Sequence, residues 1–169
     1  MALSADAKIA NVEGSIREYV STNLSSTFPS AIDYGGGQAF SDASLSEWLR
    51  VRLLAPARSP EMTGPFGHDG KRAREMFHLL ALNIFIRPAK LATLNTLRLP
   101  TLRDTVAQYF EEGTTILVKD YGADSGTIGN LFSVGFDLDQ SIIDPGREAE
   151  ILNWALIVAL RWAETWTAA

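Results

Sequence analysis

The residues of this chain that could do chemistry are few, and their spacing fits no familiar active site. The sequence contains two histidines, His68 in a Gly/Pro-rich stretch and His78 further on, and no cysteine. Metal and catalytic sites need several converging ligands, or a nucleophile with a paired base, so neither histidine predicts such a site. We expect a solvated His68, a partly buried His78, and no metal or cofactor.

A glycine-rich stretch at residues 64–72 superficially resembles a phosphate-binding loop. The pattern fails because Pro65 takes its first glycine position, Arg72 replaces the magnesium-binding serine or threonine, and no strand leads directly into it. The acidic turn around Asp120 lacks the spacing of a twelve-residue calcium loop. Ser125 lies in Asp-Ser-Gly, outside the Gly-x-Ser-x-Gly pattern of serine hydrolases. The sequence therefore predicts no enzyme.

Length and composition predict one domain, residues 1–169. The chain is 46% hydrophobic and 21% charged, which is typical of a globular protein with a real core. Its longest apolar run, residues 154–160, is far shorter than the ~20 residues of a membrane helix, and its first eight residues do not have the pattern of a signal peptide. We expect no membrane insertion and, with no cysteine, a cytoplasmic setting.

Charge is segregated along the chain, although the net charge is only −5. Residues 1–49 carry two bases against six acids, residues 50–103 carry ten bases against three acids, and residues 104–169 carry three bases against eleven acids. The chain thus has a basic middle between acidic ends. This asymmetry is the most informative feature of the composition.

The N-terminal third predicts a helix, a loop, a strand and a second loop. Apolar residues recur every three or four positions from Ser4 to Leu24, which is typical of an amphipathic helix. Residues 25–44 are rich in serine and glycine and predict a loop. Alternation over residues 47–54 predicts a strand, and the Gly/Pro-rich residues 56–74 predict a long basic loop.

The middle of the chain predicts a central strand, a second helix and a hairpin. The apolar residues 75–87 stop at a proline and predict the strand. Thr101 fits the N-cap of a helix over residues 102–112. Residues 114–120 and 127–138 predict two strands joined by a turn.

The last element, Ile151 to Trp166, is apolar on both faces, so periodicity does not separate helix from strand. We predict a strand, because alternate residues from Leu152 to Trp162 would then line one side of a buried sheet. The complete prediction is an α+β fold in the order α-β-β-α-β-β-β. Its sheet is mixed, mainly antiparallel and of about five strands, with two main helices packed on one face.

The basic residues 50–103 leave three interpretations open. Their charges could simply solvate one face. They could bind nucleic acid by neutralising phosphates, although the acidic pI of about 5.0 opposes this. They could also serve self-assembly, in which the basic surface of one copy meets the acidic surface of the next. Complementary charges on one chain favour self-assembly.

The order and size of the elements resemble the tail-terminator, or tail-completion, proteins of long-tailed bacteriophages. The resemblance runs over nearly the whole chain, through the strand Trp48-Leu-Arg-Val-Arg-Leu, the strand end Ile84-Phe-Ile-Arg-Pro, the helix 102–112 and three further strands. It implies a structural virion protein that forms a hexameric ring on the last ring of the tail tube. Such a ring ends tube growth and provides the surface to which the head docks.

The resemblance also implies partners and a location. The partners are copies of the same chain, the tail-tube protein and a head-tail connector or neck protein, and no membrane or direct nucleic-acid binding is expected. The location is the head-proximal end of the tail, after assembly in the host cytoplasm. The alternatives are a related neck or tail-tube subunit, or a DNA-binding accessory protein that uses the basic loop.

The basic residues are the predicted assembly interface. The resemblance carries over no catalytic residue, and it offers the glycine-rich residues 33–40 as a second contact loop. We expect contacts with neighbouring subunits, the tube or the head from Arg50, Arg52, Arg58, Lys71, Arg72, Arg74, Arg87 and Lys90.

Overall fold

The fold was examined in a computed structural model, which describes residues 2–3, 9–35, 40–54, 71–91, 97–122, 126–142 and 151–167. The helices are α1 (Ile9–Leu24) and α2 (Arg98–Ala107), with a short 3-10 helix at Pro88–Lys90. The strands are β1 (Ala2–Leu3), β2 (Ile32–Asp33), β3 (Glu47–Leu53), β4 (Lys71–Ile86), β5 (Thr115–Lys119), β6 (Thr127–Ile142) and β7 (Leu152–Thr167). The predicted α+β class is confirmed. Neither of these two helices is long and apolar enough to span a bilayer.

The described strands form one sheet in the order β2-β3-β4-β7-β6-β5, and β1 adds to the far end of β7. All pairs are antiparallel except β2 with β3, which is parallel. The prediction of about five strands is wrong in detail, because it missed the two-residue strands β1 and β2. Strands this short carry too few residues to show alternation.

The pair β4 and β7 forms the centre of the sheet. The two strands pair from Lys71 opposite Thr167 to Ile86 opposite Leu152. On one side β3 reaches only Leu80 of β4, and on the other side β6 reaches only Arg161 of β7. The remaining ends, residues 71–77 and 162–167, extend past β3 and β6 as a segment that we call the β4–β7 ribbon, and β1 pairs with its β7 half at residues 166–167.

One face of the sheet is buried beneath the two helices. Alternate residues of β4 and β7 face this core, and the helices add their own apolar stripes. Each fully buried side chain of this size contributes roughly 1.5–3 kcal/mol, so the core sets the register of the whole sheet. The core residues from these four elements include Val12, Ile16, Val20, Leu102, Val106, Leu80, Leu82, Ile84, Leu156, Val158 and Leu160.

The last element is a strand, as predicted. β7 pairs with β4 on one side and with β6 on the other, so it is a central strand. Of the alternate residues expected on one buried side, those from Leu156 to Trp162 are buried, but Leu152 is exposed and Trp154 is only half-buried, so the first part of that prediction is wrong.

Several predicted boundaries are wrong. Helix α2 ends at Ala107 and not at residue 112, and β6 continues to Ile142 and not only to residue 138. The loop over residues 25–44 contains β2, and the loop over 56–74 is too long, because Lys71 to Arg74 belong to β4; its residues 56–70 lie outside the described part. Helix α2 begins at Arg98, so Thr101 is not its N-cap. Pro100 lies in the first turn of α2, where a missing N–H costs nothing, and the Thr101 hydroxyl donates to the Leu97 carbonyl at 2.8 Å.

His78 is buried more completely than expected. It is 2% exposed, and its ring stacks on Trp162 with ring centroids 3.8 Å apart. Burial disfavours the imidazolium, and although the backbone of Leu54 favours it, the pKa of His78 falls from 6.5 to about 4. The histidine is therefore neutral in the native core at pH 7.

Acidification from pH 7 to pH 5 should destabilise the protein through His78. In this range the unfolded chain protonates the histidine and the folded chain does not, so the free energy of unfolding falls by about 2 kcal/mol. Urea unfolding at the two pH values measures the change. The variant His78→Leu should show a much flatter dependence, and an unchanged slope in this variant would refute the assignment.

Candidate functional site

The structure places most of the predicted interface residues in one half of the sheet. Arg58 lies outside the described residues. Arg50 and Arg52 are on β3, Lys71, Arg72 and Arg74 are in the first part of β4, and Arg87 and Lys90 follow the end of β4. Lys71, Arg72 and Arg74, which were expected in a basic loop, therefore lie on a strand, and the seven described residues follow the β3–β4 pair.

Arg50 and Arg52 converge on a carboxylate that the sequence analysis did not single out. Asp33 Oδ2 accepts from Arg50 Nε at 2.9 Å and from Arg52 Nη2 at 2.8 Å, while its Oδ1 accepts from the backbone N–H of Gly35 at 2.9 Å. Asp33 is 7% exposed, whereas the two arginines are 41% and 36% exposed. One buried carboxylate thus holds two guanidinium groups that still reach solvent.

Two opposing effects set the pKa of Asp33. Burial raises it, but the hydrogen bonds from Arg52, Gly35 and Arg50 together outweigh burial, so the pKa lies below its usual value. Asp33 therefore stays ionised at neutral pH. Its contribution to stability is present above the pKa of an unfolded aspartate and is lost as the pH falls through the lower native value.

Arg87 and Lys90 bind the turn that leads into β3. Arg87 Nη1 donates to the carbonyls of Asp42 at 2.7 Å and Leu45 at 2.9 Å, and the Lys90 ammonium donates to the Ala43 carbonyl. The Arg87 guanidinium also lies 5.2 Å from the centroid of the buried Trp48 ring. Both cations thus have a role in the fold, whatever they contact in an assembly.

The opposite half of the sheet is acidic. Residues 108–122 and 126–142, which contain β5 and β6, carry five acids against one base. The described residues 47–54 and 71–91, which contain β3 and β4, carry seven bases against two acids. Because β7 lies between the two halves, the sheet has a basic side and an acidic side. The charge segregation predicted along the sequence is therefore also a segregation in space.

The acidic half exposes large apolar side chains. Leu117 on β5 is 53% exposed, and Phe132 and Val134 on β6 are 39% and 45% exposed. Leu117 and Phe132 occupy register positions on the face of the sheet that points away from the helices, because their neighbours Ile116 and Leu131 are buried on the helix side. An apolar group rimmed by charge is typical of a protein contact surface.

Helix α1 is joined to the end of β5 by buried polar contacts. The Ser15 hydroxyl accepts from the Lys119 backbone N–H at 2.9 Å and donates to the Asn11 carbonyl at 2.7 Å. The Asn11 side chain accepts from the Tyr121 N–H at 3.1 Å and donates to Asp120 at 3.2 Å. These bonds fix the position of the helix beside the edge of the sheet.

A cavity of about 530 Å³ lies beside Asp33, between α1 and β2. Its lining includes Arg17 and Tyr34. Arg17 is already paired with Glu13 at 2.5 Å and lies 5.8 Å from the Tyr34 ring centroid. Among the described residues, no group of three or more His, Asp or Glu side chains is arranged to hold a metal ion.

Sequence reasoning included Asp33 only as the start of the candidate contact loop 33–40, of which residues 36–39 lie outside the described part, and it predicted β5 only as a strand, so it missed the role of both in the site. One signal for Asp33 was present, because aspartate two residues before glycine favours a turn in which the carboxylate accepts the later N–H, as Asp33 does from Gly35. Its ion pairs with Arg50 and Arg52 depend on the parallel pairing of β2 with β3, which no local pattern encodes.

Comparison with known proteins gives little further information. No protein-family model matches the sequence, and no curated protein matches it. One solved structure, which bears only a sequence identifier as its name, is 9% identical, covers 93% of this chain and 97% of its own, and has a TM-score of 0.49. This likeness is too distant to support a statement about function.

Replacement of Asp33 by alanine should destabilise the protein by about 1–3 kcal/mol. The change leaves two arginines and the Gly35 N–H without their shared buried acceptor, although the arginines can still hydrate. The matched control is Glu13→Ala, which removes an exposed pair with Arg17 and should cost less than about 0.5 kcal/mol. Urea unfolding measures both, and equal losses would contradict the role of Asp33.

Proposed function

We propose that this protein is the tail terminator of a long-tailed bacteriophage, a structural subunit that assembles head to tail into a ring. The observation that carries the proposal is the division of charge across the sheet, with a basic β3–β4 half and an acidic β5–β6 half. Two different and complementary surfaces on one chain favour heterologous contact, which closes into a ring when the rotation between copies allows it.

The order of the long elements supports the same identity. The chain runs α1-β3-β4-α2-β5-β6-β7 through its long helices and strands, which is the α-β-β-α-β-β-β order on which the resemblance to tail terminators rests. In that role the ring, a hexamer by resemblance, binds the last ring of the tail tube and stops its growth. Its other side then receives the head-tail connector or neck protein.

Arg50 and Arg52 are the predicted contacts that best suit a surface between copies. Their guanidinium groups are fixed in direction by Asp33 yet remain partly exposed. A fixed cation loses little side-chain entropy when it meets a carboxylate on a neighbour. The apolar group of Leu117, Phe132 and Val134 supplies area that is favourable to bury in the same assembly.

The proposal predicts a ring-sized particle in solution or on tail tubes. Light scattering coupled to size exclusion should give a mass of several subunits at low salt and a smaller mass at high salt, because screening weakens contacts between charged surfaces. A chain that stays monomeric and does not sediment with purified tubes would contradict the proposal. Attachment along the whole tube, and not at its end, would indicate a tube subunit instead.

Charge reversal should separate assembly from folding. We expect Arg72→Glu combined with Arg74→Glu to reduce the assembled fraction without unfolding the subunit, with a small fall in the thermal midpoint because position 74 faces Glu164 across the β4–β7 pair. The control, Arg17→Glu, changes a cation on α1 that pairs with Glu13, and it should assemble normally. Equal assembly by the reversed and control variants would exclude these β4 residues from the interface.

A further inference from the structure

Strand β5 is an open edge of the sheet. Among the described strands it pairs only with β6. The Ser133 N–H donates to the Thr114 carbonyl at 2.8 Å, so that carbonyl and the backbone groups of every second residue after Thr114 point toward β6. The Lys119 N–H points the other way and donates to Ser15 Oγ. The N–H and C=O groups of Thr115 and Leu117 therefore point away from β6, and no other described strand pairs with them.

A groove runs between this edge and helix α1. It has a volume of about 340 Å³, and its lining includes Tyr19, Thr22 and Asn23 of α1 and Ile116 and Leu117 of β5. The groove therefore runs beside the unpaired backbone groups of β5, while the Leu117 side chain lies on the other face of the sheet. An extended peptide segment fits this edge, because its backbone continues the hydrogen-bond ladder and alternate side chains can enter the groove.

Within the part of the chain that the structure describes, the β4–β7 ribbon supplies a second open edge. The bond from the Leu54 N–H to the Leu79 carbonyl, 2.8 Å long, is the last one that the described β3 side makes to β4. Before Leu79, the backbone N–H and C=O groups of every second residue of β4, down to Lys71, also point toward the β3 side. Among the described residues, no strand pairs with these groups there. Strand β1 covers only two residues of the ribbon, on its β7 side, so the β4 side still gains from pairing with a further strand.

The other end of the sheet is closed to such pairing. Arg52 Nη1 donates to the Val51 carbonyl at 2.8 Å and to the Asp33 carbonyl at 2.9 Å, where β3 extends past β2. A guanidinium that occupies these carbonyls blocks an incoming strand. The β5 edge of one copy is therefore unsuited to the β2–β3 edge of the next.

The charges of the two open edges are complementary. Residues 71–77 contain three bases and one acid. The surroundings of β5 contain Glu18 on α1 and Glu111, Glu112 and Asp120 at the strand ends, against Lys119. Lys119 is already paired with Glu18. With Glu164 of β7, which lies opposite Arg74, the whole ribbon has three bases against two acids, so its net charge is positive and fits an edge with net negative charge.

We propose that the β4–β7 ribbon of one copy adds as a strand to β5 of the next copy and fills the groove beside α1. The inference rests on the proposed ring and assigns its contact to two particular strands. The pairing is heterologous, so each copy gives its ribbon to one neighbour and offers β5 to another. The occupant of the groove is therefore a second copy of this chain.

Disulfide crosslinking tests the contact directly, because the chain has no cysteine of its own. Leu117→Cys is mixed in turn with Lys71→Cys, Ala73→Cys and Glu75→Cys and oxidised. Facing residues on neighbouring strands lie about 4.5–5.5 Å apart at Cα, within disulfide range. The control mixture pairs Leu117→Cys with Thr101→Cys, a substitution on the exposed surface of α2. In at least one of the three ribbon mixtures, the yield of mixed dimers should exceed that of the control by about tenfold or more.

Each outcome has a defined meaning when light scattering is run on the same samples. Mixed dimers in a ribbon mixture support the contact. Ring-sized particles that form no mixed dimers overturn it and leave the proposed function standing. Dimers of Leu117→Cys alone would show that two β5 edges meet each other, which also overturns it. Samples with neither particles nor tube binding contradict both the contact and the proposed function.

Discussion

The antiparallel pairing of β4 with β7 is the interaction on which the rest of the structure depends. This pair extends along the full length of both strands and receives β3 on one side and β6 on the other. Its alternate residues form the floor of the core on which both helices pack. Since the two strands are far apart in the sequence, the fold is dominated by non-local contacts, and the core pattern, more than any turn, must fix their register.

The pairing also explains how a charge pattern in the sequence becomes a charge pattern in space. The basic strand β4 comes early in the chain and pairs with the last strand, β7. As a result β3 and β4 form one half of the sheet, and the acidic strands β5 and β6 lie on the other side of β7. Two bulges in β6, one of them next to Gly135 with φ of 111°, let this strand follow the twist of β7. A subunit with unlike sides follows from strand order alone.

Much of the fold could be predicted from periodicity, and much of the site could not. The strands with clear alternation, the helix α1 from Ile9 and the last strand agree with the sequence prediction, because burial of one face leaves a regular apolar pattern. The start of helix α2 was predicted too late because Thr101 is a residue type that favours the N-cap. Strand β2 was missed because two residues are too few to show alternation. Asp33 and the open edge of β5 depend on which strands are neighbours, and a single sequence does not encode that locally.

The central claim is that the protein assembles as a ring at one end of a phage tail. Electron microscopy of purified tails that lack their terminator, mixed with this protein, tests the claim most directly. The account predicts an added ring at the head-proximal end of each tail and a defined tail length when the protein is present during tube growth. Bare tail ends, or protein distributed along the tube, would contradict it.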